Sequence, residues 1–238
     1  MLFTWRPWVA MLWAAMYSNT KTKAPPGCVW YSQISEPVSW FIAFGDHLRG
    51  TVERHFSLGS YLNKGKRLCI YVDASPYGLG GWIAVDDVPL YYFADRISAV
   101  DCKVLGTENA QGSQAQQAYE ALALLVALRL WLKIWAKERV VVTVRGDNMS
   151  ALWMLAKLQP KSKALGVIAR EVAIDLSCAS YAPDFTEHLP GVTNVTADAL
   201  SRRFQQGKSY PTPPLPADAA EMQPPERVIT WWKTLHQT

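Results

Sequence analysis

His188-Leu-Pro-Gly-Val-Thr-Asn-Val-Thr-Ala-Asp198-Ala-Leu-Ser-Arg202 sets a titratable histidine ten residues ahead of an aspartate, with a Pro-Gly turn between them. Asn194 reads as the N-cap of a short helix, which places Asp198 about one turn inside it, beside Val195 and Ala199. An acid on the apolar side of a helix is costly to bury unless a cation or a proton compensates it. Three more acids in the chain share that difficulty, so a metal site is the leading reading.

Asp73 ends the run of residues 68–73, which is apolar and rich in β-branched and aromatic side chains, a strand signature. The small residues Ala74 and Ser75 leave room for a ligand near the backbone. Pro76-Tyr-Gly78-Leu-Gly80-Gly81 turns the chain into a second strand over 82–85. Asp86-Asp87 reads as the next hairpin tip, and 89–93 as a third strand. Glu120 lies near the start of a helical pattern over about 114–136 and opens its apolar stripe, continued by Ala123, Leu124, Ala127, Leu128 and Trp131. Asp147 ends a strand over 140–146 and begins a helix through Leu158. Each acid alone also has a plainer reading: Asp147 as an N-cap, Asp73 as a turn acid, Glu120 as a solvated helix end, Asp198 as half of a surface ion pair.

Four acids on a strand, a helix, a strand end and a late helix, in that order, resemble the type 1 ribonuclease H domain. The resemblance assigns its four metal-binding acids to Asp73, Glu120, Asp147 and Asp198, and its mobile loop histidine to His188. Tyr71-Val-Asp-Ala-Ser-Pro-Tyr-Gly-Leu-Gly-Gly81, Tyr119-Glu-Ala-Leu-Ala-Leu-Leu-Val-Ala-Leu-Arg129 and the 188–202 stretch are similar to the ribonuclease H domains of retroelement reverse transcriptases. The match is with DIRS-type (tyrosine-recombinase) elements, and in the last motif with Gypsy-type elements too. It covers about residues 66–204 and implies an α/β, ribonuclease-H-like fold: a mixed five-stranded sheet flanked by helices, three strands antiparallel and two joined by crossovers.

The chemistry follows from convergence. Four carboxylates held together without a cation repel one another and favour neutral forms. Mg2+, or Mn2+ in its place, prefers oxygen ligands and keeps waters that phosphate oxygens can replace. Two ions roughly 4 Å apart can activate a water and stabilise the departing 3′ oxygen. Asp73 would bridge them, with Glu120 and Asp147 on one ion and Asp198 on the other. For His188 the resemblance implies proton transfer or product release; a loop histidine capping a strand end is the plainer reading. The implied reaction is endonucleolytic cleavage of the RNA strand of RNA–DNA hybrids, by a ribonuclease H acting in retroelement reverse transcription. The alternative is a catalytically silent relic that binds nucleic acid or packs on a polymerase. Asn148 is a candidate reader of the hybrid, and Lys157, Lys161 and Lys163 are candidate phosphate contacts, though a capping Asn and a solvated helix end explain them equally well.

Composition sets compatible bounds. The chain has 238 residues, enough for one large or two small domains, and a net charge of +4, mildly basic. Cys28, Cys69, Cys102 and Cys178 lie far apart, which fits reduced thiols in an intracellular protein, nuclear or cytoplasmic. There is no Cys/His ligand cluster for zinc and no Gly-x-Ser-x-Gly elbow for a serine nucleophile. The apolar stretch 9–16 is too short to span a membrane and fits an amphipathic or buried helix. Residues 1–65 are similar to the connection between thumb and ribonuclease H in those reverse transcriptases. No aromatic-x-Asp-Asp motif occurs, so the polymerase domain is expected as a partner rather than within this chain. A loop of about twenty residues is expected between Ser98 and Gln117. Residues 205–238, rich in proline, read as a mobile extended tail in which Trp231-Trp232 forms a packing anchor.

Overall fold

The computed structural model describes residues 5–17, 24–46, 58, 62, 65–109, 112–135, 140–160, 162–178, 183–207 and 215–236. Two helices come first, α1 (Arg6–Tyr17) and α2 (Tyr31–Gly45). Then follow β1 (Lys66–Ser75), β2 (Gly78–Val85), β3 (Val88–Asp95), α3 (Ala99–Leu105), α4 (Ser113–Trp135) and β4 (Val140–Gly146). After these come α5 (Met149–Lys157), α6 (Lys163–Cys178), β5 (Pro183–His188), α7 (Val195–Ser201) and the short β6 (Ala220–Glu221).

The strands form one sheet in the order β5-β4-β1-β2-β3-β6. β1, β2 and β3 are antiparallel, while β4 runs parallel to β1 and β5 parallel to β4. The expected ribonuclease-H-like arrangement is therefore present. The count differs by one, because β6 adds itself parallel to the edge of β3. Asp86 and Asp87 form the expected hairpin tip, both with positive φ (49° and 69°).

Strand alternation sends Leu68, Ile70, Val72 and Ala74 of β1 into the main core, which leaves Asp73 and Ser75 on the other face. The core face is covered by α4, whose alanines and leucines are strong helix formers. Every residue from Ala121 to Leu128 is buried, so α4 is enclosed all round and not along one stripe as its sequence pattern suggests. α6, which pattern reading did not locate, and Trp232 close its far side. On the Asp73 face lies α7. A Cβ at Gly80, the register partner of Asp73, would sit 2.4 Å from the Ser201 backbone nitrogen and 2.6 Å from the Ala197 carbonyl oxygen. Only glycine lets the helix approach this closely.

Two expectations are corrected here. The loop between Ser98 and Gln117 contains α3, opened by a reciprocal cap between Ser98 and Asp101 and closed by Gly106 at φ 65°. The segment expected as a mobile tail is docked over residues 215–236. Arg227, almost fully buried, pairs with Asp101 at 2.9 Å and with Asp95, and Trp232 is completely buried in the core, the anchor its sequence suggested. At the other end of the chain, Trp8 stacks on Trp40 (4.7 Å between centroids), and with Phe44 and Ile174 of α6 they form a small second core. Trp13 and Met16 of α1 are exposed, so the helix is buried along one side only. Among the described residues no helix is long and apolar enough to cross a membrane.

Candidate metal centre

Asp73, Glu120 and Asp147 meet at one end of the sheet. Each offers a carboxylate oxygen within 4.8 Å of the others'. β1 delivers Asp73 almost fully buried, and α4 delivers Glu120, 6% exposed. Asp147 follows the last residue of β4. It is spared capping duty because Asn148 is the N-cap of α5, its side-chain oxygen accepting from the Ser150 and Ala151 backbone N–H groups. Asp147 Oδ1 is buried and has no hydrogen-bond partner. Its Oδ2 faces the turn at Gly191, where a Cβ would come within 3.1 Å.

The electrostatics match this crowding. Burial lifts the Asp73 carboxyl to about 7; the charges of Asp147 and Asp198 add to that rise, and the Ser201 hydrogen bond and the Arg202 charge oppose it. Burial lifts Glu120 further, to about 9, with Asp73 and Asp147 raising it again. Among the described residues no salt bridge joins any of the three to a protein cation. The donor set is three hard oxygens, one of them buried without a partner, and this suits a divalent oxygen-seeking ion such as Mg2+.

Asp198 stands apart from the trio. It occupies the first turn of α7, but its side chain is 41% exposed and pairs with Arg202 Nε at 2.6 Å. The buried apolar position expected for it is taken by its neighbours Ala197 and Ala199. The plainer reading, half of a surface ion pair, describes its geometry here. Asn194 sits at the N-cap position without a capping side chain. Its amide instead donates to the Val72 carbonyl at 2.9 Å, which ties the start of α7 to β1 just before Asp73.

His188 closes β5 rather than lying in a loop, and is exposed. Its Nε2 lies 3.1 Å from the Asp147 carbonyl oxygen. Asn148, as a cap, has its side-chain oxygen committed to the helix start. Lys157 stands over the Trp153 ring at 3.8 Å, and with Met149, Ser150 and Gln159 these residues line a groove of about 330 Å³. Lys163 opens α6 and is exposed, and Lys161 lies outside the described residues.

Three supporting residues escaped sequence reading. Ser201 donates its hydroxyl to Asp73 Oδ2 at 2.8 Å. Gln116 donates to Glu120 at 3.0 Å and to the Ala74 carbonyl. Gly191 makes room for Asp147. Gln116 lies one helical turn before Glu120, so its spacing was a usable signal; Ser201 reaches across 128 residues and left none.

Among solved structures the chain is similar to ribonuclease H1 from the halophilic archaeon Halobacterium salinarum, at 19% identity and a TM-score of 0.41, over 56% of this chain and 93% of that one. It is also similar to a ribonuclease H1 isolated from compost by a metagenomic approach (21%, TM-score 0.43, 58% of this chain and 94% of that one). A third is the N-terminal ribonuclease H domain of a Mycobacterium tuberculosis protein fused to maltose-binding protein (16%, TM-score 0.36, 58% and 92%). No protein-family model and no curated protein matches the chain.

Proposed function

We propose that this chain is a ribonuclease H that hydrolyses the RNA strand of RNA–DNA hybrids, using divalent ions held by Asp73, Glu120, Asp147 and Asp198. The observation that carries the proposal is the meeting of three carboxylates within 4.8 Å with no salt bridge to a protein cation among the described residues, two of them pushed up by burial to about 7 and about 9. Such a cluster is unfavourable by itself and is relieved by hard dications. When bound, Mg2+ or Mn2+ would supply an activated water and stabilisation of the leaving 3′ oxygen.

The residues of the chain do the rest. Ser201 fixes the orientation of Asp73, Gln116 that of Glu120, and the Asn148 cap frees Asp147 for the centre. His188, against the Asp147 backbone, stands at the rim, where a proton or a departing product passes. Trp153 lies one turn into α5, the helix that Asp147 and Asn148 lead into. Together with Lys157 it offers an apolar face and a cation to one strand of a hybrid, whose wide minor groove exposes 2′-hydroxyls.

The wider setting rests on the sequence motifs: a role in retroelement reverse transcription, inside the cell, with a polymerase domain as partner. In that reading, residues 1–65 are a connection remnant, 66–204 the ribonuclease H domain and 205–238 a tail. A second reading, a silent domain that binds nucleic acid or packs on a polymerase, is favoured by one observation, the engagement of Asp198 with Arg202. A cleavage assay on a labelled RNA–DNA hybrid with Mg2+, run beside Asp73→Asn, decides between them. Cleavage lost in the variant supports the nuclease. Binding of hybrid and Mg2+ without cleavage, even with polymerase domains supplied, supports the silent domain.

A further inference from the structure

Asp198 is the one acid of the four with a cation of its own. Arg202 Nε meets its Oδ1 at 2.6 Å, the two side chains 39% and 41% exposed, one helical turn apart. The Arg202 backbone N–H also donates to the Asp198 carbonyl, at 3.1 Å. Between the two, Ser201 is fully buried, and its single hydroxyl proton has two acceptors in reach, Asp73 Oδ2 at 2.8 Å and the Asp198 carbonyl at 2.9 Å. The end of α7 is thereby fastened to Asp73 while the Asp198 side chain remains at the surface.

We propose that Arg202 is a positioning residue: it holds Asp198 out of the carboxylate cluster, so that divalent ions enter in order. The first ion is taken by Asp73, Glu120 and Asp147. The second is taken only when Asp198 leaves Arg202 and turns toward Asp73. Because an exposed pair one turn apart on a helix is weak, Arg202 sets a threshold and does not bar the second ion. The inference rests on the metal-centre reading proposed above.

The test is calorimetric titration of the metal-free full chain with Mn2+, an ion that suits the same oxygen ligands, with free Mn2+ counted by electron paramagnetic resonance. Wild type should take up Mn2+ in two steps, the second weaker. Arg202→Gln should tighten the second step about three- to five-fold, the scale of an exposed pair, and the first by clearly less, since the Arg202 charge reaches Asp73 without pairing with it. Asp198→Asn should abolish the second step, and adding Arg202→Gln to it should then do nothing further. If Arg202→Gln instead tightens the first step equally, with or without Asp198, the guanidinium acts only as a nearby charge and the proposal falls. It falls too if Arg202→Gln alters neither step, which would leave Arg202 a simple helix-end cation. Failure of wild type to take up any Mn2+ would overturn the metal-centre reading itself, and this inference with it.

Discussion

Two groups of buried acids meet the same helix, α4, and the protein treats them in opposite ways. At one group, Arg129 reaches Glu171 at 2.6 Å and Asp175 at 2.7 Å, and Lys233 adds a second cation to Asp175. Backbone N–H groups of Lys233 and Thr234 complete the shell of Glu171, which is fully buried. Arg129 also donates to the Trp231 carbonyl and stacks over that ring at 4.3 Å, so the network fastens the docked C-terminal segment. At the other group, Asp73 and Glu120 are buried to nearly the same degree, yet among the described residues no salt bridge joins them to a protein cation. Burial alone thus does not separate a structural acid from one proposed to hold a metal. What separates them is whether the chain supplies the positive charge itself.

The comparison breaks most visibly if its structural half is removed. Arg129→Ala should cost about 3 kcal/mol of stability, because it leaves Glu171 with no cation and Asp175 with Lys233 alone. Urea denaturation measures it, and a loss below about 1 kcal/mol would mean that the network is incidental. On the functional half, Asp73→Asn should lower hybrid cleavage by roughly 10²- to 10³-fold or more, the scale of losing a principal electrostatic element. His188→Ala should slow turnover about ten-fold or less, without changing Mg2+ uptake, since the ring touches the centre only through the Asp147 backbone. Single-turnover and steady-state rates separate a proton-transfer role from product release. Glu120→Gln should carry the opposite sign to Arg129→Ala. In metal-free buffer near pH 8, Gln removes the cost of keeping this carboxyl protonated in the fold while the unfolded chain ionises it, so stability should rise by about 1 kcal/mol or more. A loss of that size would place Glu120 with the structural acids.

Much of this contrast was readable in the chain and some of it was not. Asp73, at the end of an apolar run, and Asp147, after a β-branched strand, stand where local patterning places them. Glu120 opens the helix face that its spacing indicated. These are local signals, fixed by alternation and helical period. Asp198 lies in the helix expected for it, but no local rule tells whether its side chain turns to the cluster or to Arg202. α3 was hidden because its seven residues are too few for a periodic pattern, although Ser98, Asp101 and Gly106 mark both its ends. The prolines of the C-terminal segment point to a mobile chain. Its fastening depends on Arg227 finding Asp95 and Asp101, and on Trp231, Lys233 and Thr234 finding Arg129, Glu171 and Asp175, pairings that join residues far apart in the chain.

The most direct test of the central claim, that one acid cluster awaits a cation from outside, is thermal melting of the wild-type chain across pH, with and without Mg2+. The folded Asp73 and Glu120 carboxyls sit at about 7 and about 9, against ordinary values of 3.8 and 4.5. Between those limits the unfolded chain releases protons that the folded chain keeps. Stability of the metal-free protein must therefore fall as pH rises from about 4 to about 9, by up to about 1.4 kcal/mol per pH unit for each acid. Mg2+ should restore most of that loss, and more of it at pH 8 than at pH 5, because the ion binds the ionised carboxylates. A melting temperature indifferent to Mg2+ at every pH, with no decline toward alkaline pH in its absence, would contradict the account.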